Sequence, residues 1–153
     1  MLTAVADSTV LVSAFLRQEG VSAILLREAA GGVFELFLSQ EIMSETETVL
    51  FERAHLRRRY PYTDDDITEF CQFLQRSFAL VTELPPLTGI VRDPNDDMII
   101  ATAQRAQAAY ILTRDKDLLS LEIYEDITIL PPEAFIAILR EYLRRSNEEF
   151  PTS

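Results

Sequence analysis

The chain has a single cysteine, Cys71, and a single histidine, His55, in 153 residues. One cysteine supports neither a disulfide framework nor a zinc site. Cys71 falls in the apolar-patterned stretch Phe70–Leu74, where a buried, inert thiol is expected. One histidine leaves only one candidate base for serine or cysteine hydrolysis. His55 lies beside Arg53 and Arg57–Arg59, an exposed setting. No apolar run approaches the ~18–20 residues that span a membrane. The apolar N-terminus, Met1–Leu16, lacks a basic n-region and carries Asp7 in its middle, which a secretory h-region would not tolerate. A soluble, cytoplasmic chain is expected. Internal repeats and low-complexity segments are also absent.

Positive charge is scarce. Lys and Arg number 14 against 25 Asp and Glu, a formal net charge of −11. That balance argues against a broad basic surface for gripping nucleic acid. It is compatible with a nuclease whose metals supply the local positive charge, and it suits a basic protein partner. The basic run Arg57-Arg58-Arg59 reads as a solvated loop between two helices. Contact with a phosphate backbone is the alternative.

The length suits one domain, spanning residues 1–145, with a polar, frayed tail at 146–153. Such a chain buries enough surface to fold without a structural metal. Strand and helix signals alternate along it. Short apolar runs at Leu2–Ala6, Val33–Leu38, Ala79–Thr82, Ala109–Leu112 and Ile127–Leu130 read as strands. Helical spacing marks Val21–Ala30 before Gly31-Gly32, and Ser39–Leu50 behind a serine cap. Thr63 followed by Asp64–Asp66 is a strong helix start. Its helix shows Ile67, Phe70, Cys71, Leu74 and Phe78 on one face. Asp96–Ala108, a short helix near Asp117–Leu121, and a last helix with Phe135, Ile138, Leu139 and Tyr142 on one face complete the set. Strands separated by helices imply an α/β fold with parallel pairing through right-handed crossovers.

The carboxylates fall at telling places. Asp7 follows the first strand directly, and Asp115 comes just after the fourth. Ligands in parallel α/β sheets bind at the carboxyl ends of strands, near a switch in strand order. Asp96 opens the helix before the fourth strand, with Asp93 and Asp97 beside it, and Glu45 lies inside the helix after the second. Carboxylates converging on one end would repel one another unless a cation sat among them. Hard divalent ions, Mg²⁺ or Mn²⁺, prefer such oxygen ligands. Each acid also has a plain reading. Asp93, Asp96 and Asp115 can serve as helix caps, and Glu45 as an exposed helix residue like Glu41 and Glu47. Asp7 is the hardest to read so, because an unpaired carboxylate in an apolar stretch is costly.

Four segments resemble the motifs of the PIN-domain family. Val5-Ala6-Asp7-Ser8-Thr9-Val10-Leu11-Val12-Ser13 resembles its opening motif. Ser39–Leu50, around Glu45, resembles the segment of its second acid. Arg92–Ala103, around Asp96, resembles the third, and Ala109–Leu119 resembles the closing Thr-x-Asp at Thr113 and Asp115. The subgroup it looks most like is the toxins of toxin–antitoxin pairs (VapC-like). The resemblance implies a Rossmann-like three-layer sandwich with a five-stranded, mostly parallel sheet. It also implies metal-dependent cleavage of RNA. Asp7, Glu45, Asp96 and Asp115 would then be the metal-binding acids for Mg²⁺ or Mn²⁺. Asp93 and Asp97 would be alternatives to Asp96, and Asp117 a weaker one to Asp115. Thr113 would orient an acid or a coordinated water. An antitoxin that blocks the acids with a basic side chain, and a homodimer, are also implied. One departure stands out: Thr9 occupies a position where the family often has asparagine, which keeps an oxygen but loses an amide donor. A catalytically silent, protein-binding module of the same fold is the second reading, with Thr9 as its main support. A phosphatase or receiver domain fits less well, because Ser8-Thr9 stand where a second acid would be needed.

Overall fold

Val5 and its neighbours set the architecture. Ala4, Val5 and Ala6 are fully buried, the continuous apolar run expected of a strand covered on both faces. This strand, β1 (Thr3–Ala6), is central in the sheet. A computed structural model of the chain describes residues 1–91 and 93–149. Arg92 of the third motif and residues 150–153 of the tail lie outside them.

After β1 come α1 (Ser8–Leu16), α2 (Val21–Ala30), β2 (Glu35–Ser39), α3 (Gln40–Glu52), α4 (Ala54–Arg59), α5 (Asp64–Ser77) and β3 (Ala79–Val81). The second half adds α6 (Pro94–Ala106), β4 (Tyr110–Leu112), α7 (Lys116–Leu119), β5 (Ile123–Tyr124), β6 (Ile127–Leu130) and α8 (Pro132–Glu149). The sheet has six strands in the order β3-β2-β1-β4-β6-β5. All pairings are parallel except β5 with β6. The sixth strand corrects the expectation of five. β5 is a two-residue edge strand, joined to β6 by a tight turn with Glu125 at φ 52°, too short to show alternation in the sequence.

The order explains the layering. From β1 the chain moves outward to β2 and β3, then crosses back to β4 on the other side of β1. Right-handed crossovers in opposite directions place their helices on opposite faces. α6, which makes the return crossing, packs against β1, β2, β3 and β4, while α8, α2, α1, α3 and α5 touch in succession. The switch in strand order lies between β1 and β4.

Local signals account for most element ends. Ser39 caps α3 by accepting from Ile42 N–H, and Thr63 and Asp66 form a reciprocal capping box on α5. α2 stops where Gly32 takes φ 86°, a conformation that favours glycine. α6 ends two residues before the expected Ala108, at Gln107 in the left-handed region.

Other differences have physical causes. α1 carries no amphipathic stripe that separates it from an apolar strand, because Val10, Leu11 and Ala14 are all buried. Arg57–Arg59 belong to α4 rather than to a loop. In α8 the buried line runs through Phe135 and Leu139, while Ile138 is 36% exposed. The helix continues to Glu149, past the point where fraying was expected, with Arg144 and Arg145 paired to Glu141 across its last turns. His55 is exposed. Cys71 is half-buried rather than buried, and burial pushes its thiol pKa up. No single helix among the described residues is long and apolar enough to cross a membrane.

Candidate metal centre

Two backbone hydrogen bonds carry the sheet's pairing just past its strands. Asp7 N–H donates to Leu112 C=O, and Thr113 N–H donates to Leu130 C=O. Asp7 and Thr113 are therefore fixed side by side at the carboxyl ends of β1 and β4, at the switch point.

Asp7 is nearly fully buried, 3% exposed. Its Oδ1 accepts from Val10 N–H at 3.1 Å, capping α1, and from the Thr9 hydroxyl at 2.6 Å. Its Oδ2 accepts from the Thr113 hydroxyl. Burial pushes its pKa up to about 6, against the pull of these donors. Thr113 Oγ1 in turn accepts from Asp115 N–H at 2.9 Å. Thr9 Oγ1 accepts from Arg114 N–H at 2.9 Å. Both threonines thus tie the end of β1 to the loop after β4.

A cleft of about 360 Å³ opens here. It is lined by Asp7, Glu45, Asp93, Asp96 and Asp115 among others, with Arg53 also in its wall. Glu45 comes from α3 and is half-buried, while Glu41 and Glu47 are exposed. Its carboxyl pKa is raised, chiefly by burial, against a hydrogen bond from Ser8. Asp96 comes from the first turn of α6 and is buried. Its Oδ2 has no hydrogen-bond partner among the described residues. Burial, followed by the charge of Asp115, holds its carboxyl well above the usual carboxylate range. Asp115 caps α7 by accepting from Asp117 N–H at 2.9 Å, so its plain role and its place in the cleft coexist.

One carboxylate oxygen from each of Asp96, Asp115 and Asp117 lies within 4.8 Å of the other two, a group that includes neither Asp7 nor Glu45. Asp117 had the weaker claim on sequence, yet it stands at the exposed rim of this group. Asp93 lines the cleft while capping α6. Asp97 does not line it: the residue is buried, and its Oδ1 accepts from Val91 N–H at 2.6 Å. That placement sets Asp97 apart from Asp93 and Asp96, which both line the cleft.

A family model described as PIN domain matches residues 3–117. The chain belongs to the PIN-domain family. No curated protein matches it. PIN domains are generally nucleases that use divalent metal. The residues present in this PIN domain fit such an ion. A buried carboxylate oxygen with no partner is costly unless a cation satisfies it. An all-oxygen donor set of this span suits a hard divalent ion. Sequence reading missed two polar members of the cleft, Ser8 and Arg53. Neither belongs to an acidic pattern, and only the packing of α1 against α3 brings them in.

Proposed function

We propose that this PIN domain is a metal-dependent endoribonuclease, acting as the toxin of a toxin–antitoxin pair. The observation that carries the reading is the convergence of Asp7, Glu45, Asp96 and Asp115 on one cleft, with Asp96 Oδ2 buried and unpartnered. These acids, with Asp117 at the rim, would hold Mg²⁺ or Mn²⁺. When bound, such an ion activates water and neutralises charge that develops on a phosphodiester.

The chain's own contribution is positioning. Thr9, Thr113 and Val10 N–H lock both oxygens of Asp7 in one orientation. Thr9 thereby supplies, through its hydroxyl, a contact to the first acid at the position where the family often has asparagine. Arg53 places a guanidinium in the cleft wall, where it can stabilise the growing charge on a phosphate oxygen. The net charge of −11 supports an antitoxin that inserts a basic side chain among the acids.

The test is cleavage of a mixed-sequence single-stranded RNA with Mn²⁺, with Mg²⁺ and with chelator, beside Asp7→Asn. Cutting that needs metal and disappears in the variant is the expected result. Equal activity in the variant would sink the site assignment. Silence of both chains at high concentration would favour the binding module. For the toxin role, expression of the chain alone should arrest growth and Asp7→Asn should not.

A further inference from the structure

The few cations of this acidic chain are unevenly placed and unevenly used. Arg53, Arg57, Arg58 and Arg59 fall together on α4 and its cap. Arg57 is engaged internally: it pairs with Asp64 at 2.6 Å and lies 5.2 Å from the Tyr62 ring. Arg105, Arg114, Arg144 and Arg145 also pair with carboxylates. Arg27, Arg76, Lys116 and Arg140 make no ion pair among the described residues, and neither do four arginines on or near α4: Arg17, Arg53, Arg58 and Arg59.

Two of these four converge. Arg17 Nη2 and Arg59 Nε both donate to the Tyr60 hydroxyl, at 3.5 and 3.1 Å. The hydrogen bonds from Arg59 and Arg17 draw the phenol pKa down. One phenol oxygen is a weak acceptor for two full positive charges, and the guanidiniums repel each other. A phosphate between them would complete the arrangement, since arginine's planar fork matches phosphate oxygens.

Two elements connect this pair with the acidic cleft. α1 begins at its cap Asp7 and ends at its cap Arg17; α4 follows Arg53, in the cleft wall, and ends at Arg59. At 1.5 Å per residue, α1 spans about 14 Å. That distance is a few nucleotides of a single strand. Beside Tyr60 lies a second cavity of about 560 Å³, with Phe15, Tyr62, Phe70 and Phe73 in its walls. Aromatic walls of this kind accept unstacked bases of single strands.

We propose that single-stranded RNA leaves the acidic cleft along α4. A phosphate a few nucleotides from the cut is held between Arg17 and Arg59, and an adjoining base enters the aromatic cavity. The path rests on the ribonuclease reading for its starting point. Its test is binding, not cutting: fluorescence anisotropy of a labelled single-stranded RNA 12-mer with Ca²⁺ as the counter-ion, RNA integrity being checked on the same samples. The full chain is compared with Arg17→Ala/Arg59→Ala, and with Arg76→Ala/Arg140→Ala as a control that removes equal charge from exposed sites elsewhere. The first variant should bind about tenfold or more weakly. Its salt dependence, as the slope of log affinity on log salt, should flatten by about 0.7, the value for one lost phosphate on a single strand. The control should bind nearly as the unaltered chain does. Equal loss in both variants would overturn the path, as would no RNA binding by the unaltered chain or tighter binding of a polyglutamate peptide than of RNA. Clamp-dependent binding without metal-dependent cutting would remove the ribonuclease reading and leave the strand path standing.

Discussion

Asp7 should make the metal-free protein less stable as pH rises, and replacing it with asparagine should remove that loss. Its carboxyl titrates at about 6 in the fold, against an ordinary 3.8. Below pH 3.8 folded and unfolded chains both hold the proton. Between the two values only the folded chain holds it, so stability falls with pH. Above about pH 6 both are ionised, and the folded carboxylate has lost its water without gaining a counter-charge. The shift of about 2 units corresponds to about 3 kcal/mol at ~1.36 kcal/mol per unit, and at 3% exposure solvent screening reduces it little. For a chain of 153 residues that is about 6–12 °C in Tm, at ~2–4 °C per kcal/mol. Asparagine mimics the neutral acid and still caps α1. In chelator, wild type and Asp7→Asn should therefore have similar Tm near about pH 4, and the variant should be the more stable near about pH 7.5. Manganese should reverse that order by stabilising wild type alone, by about 4.1 kcal/mol at a thousandfold excess over Kd. The Asp7 charge also helps to raise the Asp96 pKa, so its removal relieves Asp96 as well and adds to the difference in the same direction. Parallel Tm–pH curves in chelator would refute the reasoning.

Asp97→Ala removes the acceptor for Val91 N–H and should destabilise the fold by about 1–3 kcal/mol. The folded fraction should still cut RNA, whereas Asp96→Ala should not; calorimetry and single-turnover cleavage separate the two. Thr113→Val removes a donor to Asp7 and the acceptor for Asp115 N–H. It should raise the Asp7 pKa and move the rising limb of the pH–rate profile to higher pH, with the far-ultraviolet spectrum unchanged. Thr63→Ala breaks the capping box of α5 and should cost about 1 kcal/mol, read as a Tm lower by about 2–4 °C with cleavage unchanged.

The acids at strand ends were legible because β1 and β4 are short apolar runs that stop at them, and a parallel sheet gathers such ends. Elements with little local signal were not. α1 is buried on too many sides to show an amphipathic period, and β5 has only two residues. Helix α4 reads as a loop because three arginines bury nothing. In the Asp93–Asp97 run, spacing offered three carboxylates. Only packing shows that Asp97 serves a backbone N–H while Asp93 and Asp96 face the cleft. Thr9 was read as a loss of an amide, whereas its hydroxyl joins two segments whose sequence positions differ by 105.

The pairing of β1 with β4 also bears on when the cleft can exist. Val5 stands in register with Ile111, so β1 waits for β4. At roughly 5–20 residues per second, about a hundred residues of synthesis, roughly 5–20 s, separate Asp7 from the hydroxyl and carboxylates around Thr113. A nascent chain still short of β4 carries Asp7, Glu45 and Asp96 but has no cleft to hold them together. Whatever chemistry the cleft performs is withheld from that fragment and begins only once β4 has been made and paired with β1.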